Sequence, residues 1–218
     1  MNIKIKDPVS ALTHLAGAML SIAGLVVLVC YAALYATAWH IVTFSIFGAS
    51  LILLYTASTV YHMLPVPQKI SDILRKVDHM MIYVLIAGTY TPVCLVPLRG
   101  AWGWSLFGAI WGMAVAGIIL KAFWLDAPRW LSTLFYVLMG WTVVVAFYPL
   151  IQTVPVGGIG WLVGGGLLYT AGGIIYGTKW SPIPWKNFGF HEVFHLFVLG
   201  GSFCHFWFML QYVLYLKP

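Results

Sequence analysis

Charge is what this sequence has least of. Asp, Glu, Lys and Arg together make up 7% of the 218 residues, against about 25% in an average soluble domain. So few cannot cover a water-facing surface, and a soluble globular fold is excluded. Cysteine is scarce too. Cys30, Cys94 and Cys204 are scattered through apolar segments with no CxxC pair, and an odd, dispersed count argues against a disulfide framework. Packing in lipid-buried helices suits them better. No low-complexity tail, linker or internal repeat is evident. A cleaved leader does not fit either. Lys4 and Lys6 precede an apolar run, and Ala36–Thr37–Ala38 mimics a cleavage site. That run is longer than the roughly 7–15 residues of a signal h-region, so the first segment is expected to remain as a span. The net charge of +6 does not imply a nucleic-acid partner, because the cations are not gathered on one polar face.

What is present is hydrophobic length. Apolar residues make up 62% of the chain. A spanning helix needs about 20 such residues, because it rises about 1.5 Å per residue through a core about 30 Å thick. The pattern predicts an all-α, integral membrane bundle of seven transmembrane helices. The spans fall at about 11–35, 42–63, 78–98, 103–122, 131–150, 157–177 and 191–214. Pro65 and Pro67 end the second, since proline cannot continue a helix ladder. Asp126, Pro128 and Arg129 mark the turn after the fourth, and Pro149 and Pro155 bracket the gap after the fifth. The run from Lys179 to Lys186 separates the last two. All connections are short, so residues 1–218 read as one domain.

Orientation follows from the positive-inside rule. With a cytoplasmic N-terminus, Lys4, Lys6, Lys69, Arg75, Lys76, Lys121, Arg129, Lys179 and Lys186 fall inside, at anionic headgroups. Only Arg99 and Lys217 fall outside. The C-terminus is then external. Gly160 and Gly164, like Gly173 and Gly177, are four apart. That spacing lets helices approach closely, within the chain rather than between chains.

In lipid, an ionisable side chain marks function by default. The set is His14, His62, Asp78, His79, His191, Glu192, His195 and His205. The topology brings His62 at the end of span two, Asp78 at the start of span three, and His191 and His195 at the start of span seven to one membrane depth. His191 and His195 are four apart, so they share a helix face one turn, about 5.4 Å, apart. Two imidazoles there can chelate one metal, with His62 as a third nitrogen. Catalytic zinc sites use three protein ligands and leave the fourth position to water. Asp78 could orient or deprotonate that water. Ser58, one turn before His62, could hydrogen-bond water or substrate. His40, near the outer end of the first span, reads as an exposed residue of no special role, and His205 as a packed histidine deep in the last helix. His191–Glu192–Val193–Phe194–His195 also matches the H-E-x-x-H string of zinc metalloproteases. A five-residue match is weak, and Glu192 equally suits the first turn of a helix.

Ala57–Ser58–Thr59–Val60–Tyr61–His62, Val77–Asp78–His79, Ala87–Gly88–Thr89–Tyr90–Thr91–Pro92, and His191–x–x–x–His195 running into Gly200–Gly201–Ser202–Phe203–Cys204–His205–Phe206 resemble the bacterial haemolysin III family. That family is grouped with the adiponectin and progestin receptors. The resemblance covers nearly the whole chain in order. It implies a seven-helix protein of the bacterial inner membrane, with zinc held by His62, His191 and His195. It also implies Asp78 holding the zinc-bound water and Ser58 beside it. His14, after Thr13, matches a histidine of the first helix. Asp7 and Ser10 depart from the family pattern of Glu and Asn, and Glu192 is not a family-wide feature.

These readings point first to a zinc-dependent hydrolase of a membrane lipid amide or ester, resembling ceramidases, with Asp78 as general base. The alternatives are a non-enzymatic sensor or receptor with structural zinc, an intramembrane metalloprotease, a lytic protein, and an ion path through His79, His205 and Glu192.

Overall fold

A computed structural model describes residues 5–124, 127–181 and 188–218. Lys4, Asp126, Lys186 and the stretch Pro182, Ile183, Pro184 and Trp185 lie outside the described residues. Among those described, the elements are helical: α1 (Pro8–Tyr35), α2 (Ala38–Met63), α3 (Gln68–Leu95), α4 (Ala101–Phe123), α5 (Arg129–Trp141), a 3-10 stretch (Thr142–Ala146), α6 (Phe147–Thr153), α7 (Val156–Thr178), α8 (Phe190–Gln211) and a final 3-10 turn (Val213–Tyr215). Pro8 opens α1 at a position where its missing N–H costs nothing. Pro65 and Pro67 follow the end of α2 as expected.

Six elements are long and apolar enough to cross a membrane: α1, α2, α4, the stretch Arg129–Thr153, α7 and Phe190–Tyr215. The seventh is α3. It is 28 residues long but starts ten positions earlier than its apolar run. That first part is held as helix by local polar pairs: Gln68 donates to Asp72 at 2.9 Å and Arg75 to Asp72 at 3.4 Å. Hydropathy marks where lipid begins, not where the helix begins.

The fifth span also differs from its sequence reading. Pro149 does not bracket a gap but sits inside α6. Proline lacks the N–H and its ring crowds the carbonyl four residues back, so the ladder tightens to 3-10 over Thr142–Ala146. Tyr90 braces this break. Its hydroxyl donates to the Gly140 carbonyl and accepts the Val143 N–H at 2.8 Å.

The packing order places a ring of helices around an interior space. α1 contacts α2 and α8, α2 contacts α3, α3 contacts α5, α5 contacts α7, and α7 contacts α8, while α4 lies against α3. Phe44, Phe47, Tyr55, Tyr83 and Phe208 are fully buried, whereas Leu20, Leu34, Phe123 and Val145 point outward. Such an apolar exterior suits hydrocarbon, where every backbone group must be satisfied inside its own helix.

Small residues set how close α7 and α8 come, but not the pair read from spacing. Gly160 and Gly164 face open space. The tight positions on α7 are Gly157, against Tyr212, and Gly158, Gly165 and Gly172, the last three seven apart. A Cβ on Gly165 would lie 2.7 Å from His205 Nε2, and one on Gly172 would lie 2.8 Å from Phe197. Gly173 and Gly177 do pack, against Thr133 of α5.

Candidate metal centre

Antiparallel connectivity puts the start of α1, the end of α2 and the starts of α3 and α8 at one end of the bundle. His62, His191 and His195 meet there. Each offers a ring nitrogen, and the three lie within 4.8 Å of one another. His191 Nε2 is 3.1 Å from His62 Nε2. A tetrahedral centre with metal–nitrogen bonds of about 2.0–2.1 Å spaces its nitrogens about 3.3 Å apart, so the set fits a small divalent cation. His62 and His195 are buried and His191 half-buried.

The cluster opens on a cavity of about 750 Å³ inside the helix ring. Its walls carry Ser58, Asp78, His79 and His14. Asp78 is buried and lies beside Ser58, whose hydroxyl oxygen is buried without a hydrogen-bond partner. The cavity therefore gathers the three histidines, Asp78 and Ser58, every site residue singled out in the sequence. Its walls also carry the apolar side chains of Ile82, Leu85, Val137, Leu162 and Val198, and include Tyr169 and His205. There Tyr55 and Tyr169 both share the Ser202 hydroxyl, at 2.6 and 2.9 Å, and Tyr169 stacks on His205.

Four side chains of the first helix region gain a place that the sequence did not give them. Asp7 Oδ2 accepts a hydrogen bond from His62 Nδ1 at 3.0 Å. Thr13 Oγ1 is 3.4 Å from His195 Nδ1. Ser10 donates to Glu192 Oε1 at 2.7 Å. His14 stacks flat on His195 with ring centroids 3.5 Å apart. The available signal was topological: the first span starts at the end of the bundle where α2 ends at His62. The departures at Asp7 and Ser10 are thus not idle positions.

Glu192 is tied down at both oxygens. Oε2 accepts the Gly189 N–H at 2.8 Å and caps α8, while Oε1 holds Ser10. Both contacts dock and cap the helix, a structural role that the H-E-x-x-H string does not require. His40 is not exposed. It is 1% accessible, its Nδ1 accepts from the Thr37 N–H, and its Nε2 donates to the Val213 carbonyl at 3.1 Å. The helix ring folds the C-terminal turn over it, which span-by-span reading does not see. Of the residues of the ion path, His79 on α3, Glu192 in the α8 cap and His205 further along α8 all line this one cavity.

Fold and site define a multi-pass helical membrane protein with a three-histidine cluster above an internal cavity. The family model described as haemolysin-III related matches residues 3–206. The chain is 44% identical to the hemolysin-3 homolog of Bacillus subtilis (strain 168), over 95% of each chain. It is 42% identical to hemolysin-3 of Bacillus cereus, over 96% of this chain and 93% of that one. Against the human monocyte to macrophage differentiation factor it is 30% identical, over 83% of this chain and 74% of that one. The chain belongs to the haemolysin-III related family.

Proposed function

We propose that this protein is a zinc-dependent hydrolase of a membrane lipid amide or ester, acting in a bacterial inner membrane with its N-terminus in the cytoplasm. The observation that carries this reading is the coincidence of three convergent histidines and a buried carboxylate on one cavity whose remaining walls suit an acyl chain. His62, His191 and His195 would hold the ion. Bound there, zinc supplies Lewis acidity, polarising a carbonyl and making water a stronger acid.

The chain's own groups supply the rest. Asp78 takes a proton from water as the oxygen attacks the carbonyl carbon, and returns it to the departing amine or alkoxide. Ser58 donates a hydrogen bond to the carbonyl oxygen. The apolar walls hold the acyl chain and exclude bulk water. A structural zinc site is closed by four protein ligands. The described residues offer three, which favours catalysis over a purely structural ion.

The test is a screen of purified protein against N-acyl and O-acyl lipids, with Asp78→Ala beside wild type. Turnover should fall by about 10²–10⁴-fold in the variant while bound zinc stays. Undiminished turnover in Asp78→Ala would remove the assigned mechanism.

A further inference from the structure

The first helix gives no nitrogen to the histidine cluster. Yet it touches two of the three rings, each at Nδ1. For His62 the contact is Asp7 Oδ2 to Nδ1 at 3.0 Å. A carboxylate only accepts, so His62 carries its proton on Nδ1 and its lone pair on Nε2. That Nε2 is the atom facing His191 Nε2.

For His195 the direction follows from counting protons. Thr13 Oγ1 lies 2.9 Å from the Val9 carbonyl oxygen and 3.0 Å from the Ser10 carbonyl oxygen. Both can only accept, and a hydroxyl has one proton to give. Toward His195 Nδ1, at 3.4 Å, the Thr13 oxygen is therefore an acceptor. The Ser10 carbonyl is also turned to this ring. His195 again carries Nδ1–H and keeps its lone pair on Nε2.

The arrangement is built from backbone needs. The last carbonyls of a helix have no partner of their own. At the end of α2, those of His62 and Met63 accept the N–H groups of Asp7 at 2.9 Å and Lys6 at 3.4 Å. This strap sets Asp7 beside His62. Three and six positions further on, Ser10 and Thr13 reach α8, where Ser10 anchors on Glu192.

We propose that Asp7 and Thr13 are positioning residues that fix the tautomers of His62 and His195, so that both present Nε2 to the ion and the start of α1 tunes its affinity. The inference rests on the metal reading above. Partners of this kind orient metal-binding imidazoles and raise their basicity.

The experiment is zinc affinity of the full-length protein in detergent, measured by chelator competition. Thr13→Val keeps the shape and removes the acceptor; Thr13→Ser restores it. Thr13→Val and Asp7→Ala should each weaken zinc binding by about 10–100-fold, and Thr13→Ser should bind as wild type. Asp7→Asn keeps an acceptor oxygen without the charge and should fall between wild type and Asp7→Ala; it also stands in if Asp7→Ala does not fold. Ser10→Ala removes an anchor of α1 without touching either ring, and should lower the melting temperature with affinity unchanged. Unchanged affinity in folded Thr13→Val and Asp7→Asn overturns the assignment, as does a Thr13→Ser protein as weak as Thr13→Val. Wild type that takes up no zinc overturns the metal reading itself, and is seen before any variant is compared.

Discussion

His62 Nε2 and His191 Nε2 lie 3.1 Å apart although 129 positions separate them in the chain. Since His62 gives its Nδ1 proton to Asp7, its Nε2 is an acceptor, and His191 Nε2–H is the donor between them. A cation placed there takes over the role of that shared proton. The pair is fixed from outside by Asp7 and by the cap of α8, so the cluster is preorganised by groups that are not themselves ligands.

Glu192 tests whether the H-E-x-x-H string is chemical or structural. Glu192→Ala removes the Gly189 cap and the Ser10 anchor. It should cost about 1–3 kcal/mol of stability, while Glu192→Gln keeps bound zinc and lipid turnover. Loss of turnover in a folded, zinc-loaded Glu192→Gln protein would restore the metalloprotease-type base.

Neighbouring glycines on α7 should respond oppositely. Gly165→Ala drives a methyl group to 2.7 Å from His205 Nε2, and overpacking of that kind costs about 1–3 kcal/mol. Gly164→Ala meets nothing within 4 Å, and gains up to about 1 kcal/mol from helix propensity. Melting temperatures of the two variants decide this. Equal shifts would mean that the α7–α8 approach is not as close as described.

These glycines also show what the sequence could and could not give. Four-residue spacing found Gly173 and Gly177 but also Gly160 and Gly164, because spacing names a face without saying what lies opposite. The spans and the meeting of His62, His191 and His195 were legible, since topology alone fixes membrane depth. Asp7 and Thr13 were not read as partners of the histidines, because depth does not say which rings two helices turn toward each other. Their contacts depend on the strap over the end of α2, which leaves no mark in composition or period.

His40 is a second case of that kind. It joins Thr37 to the Val213 carbonyl at the end of the bundle far from the cluster. His40→Leu removes one of the two donors to that carbonyl, which keeps the Leu216 N–H at 3.1 Å; the loss costs about 0.5–1.5 kcal/mol and should lower the melting temperature with zinc content unchanged. A fall in bound zinc in the folded variant would show that the two ends are coupled.

Orientation is testable by labelling single cysteines in a cysteine-free background. Lys6, Lys69, Arg75, Lys76, Lys121, Arg129 and Lys179 lie at the end of the bundle that holds the cluster, and Arg99 and Lys217 at the other. A cysteine at position 217 should react with an impermeant maleimide in intact cells, and one at position 69 only after lysis. The reverse pattern would place the histidine cluster outside.

The metal content of the detergent-purified protein tests the three-histidine centre most directly, with wild type compared with His191→Ala and His195→Ala. About one zinc per chain in wild type, lost in both variants while they stay folded, is the result predicted for a site built on three ligands. Folded wild type that holds no metal even after zinc is supplied, or variants that keep it, would contradict the centre and leave these histidines as a packed polar cluster.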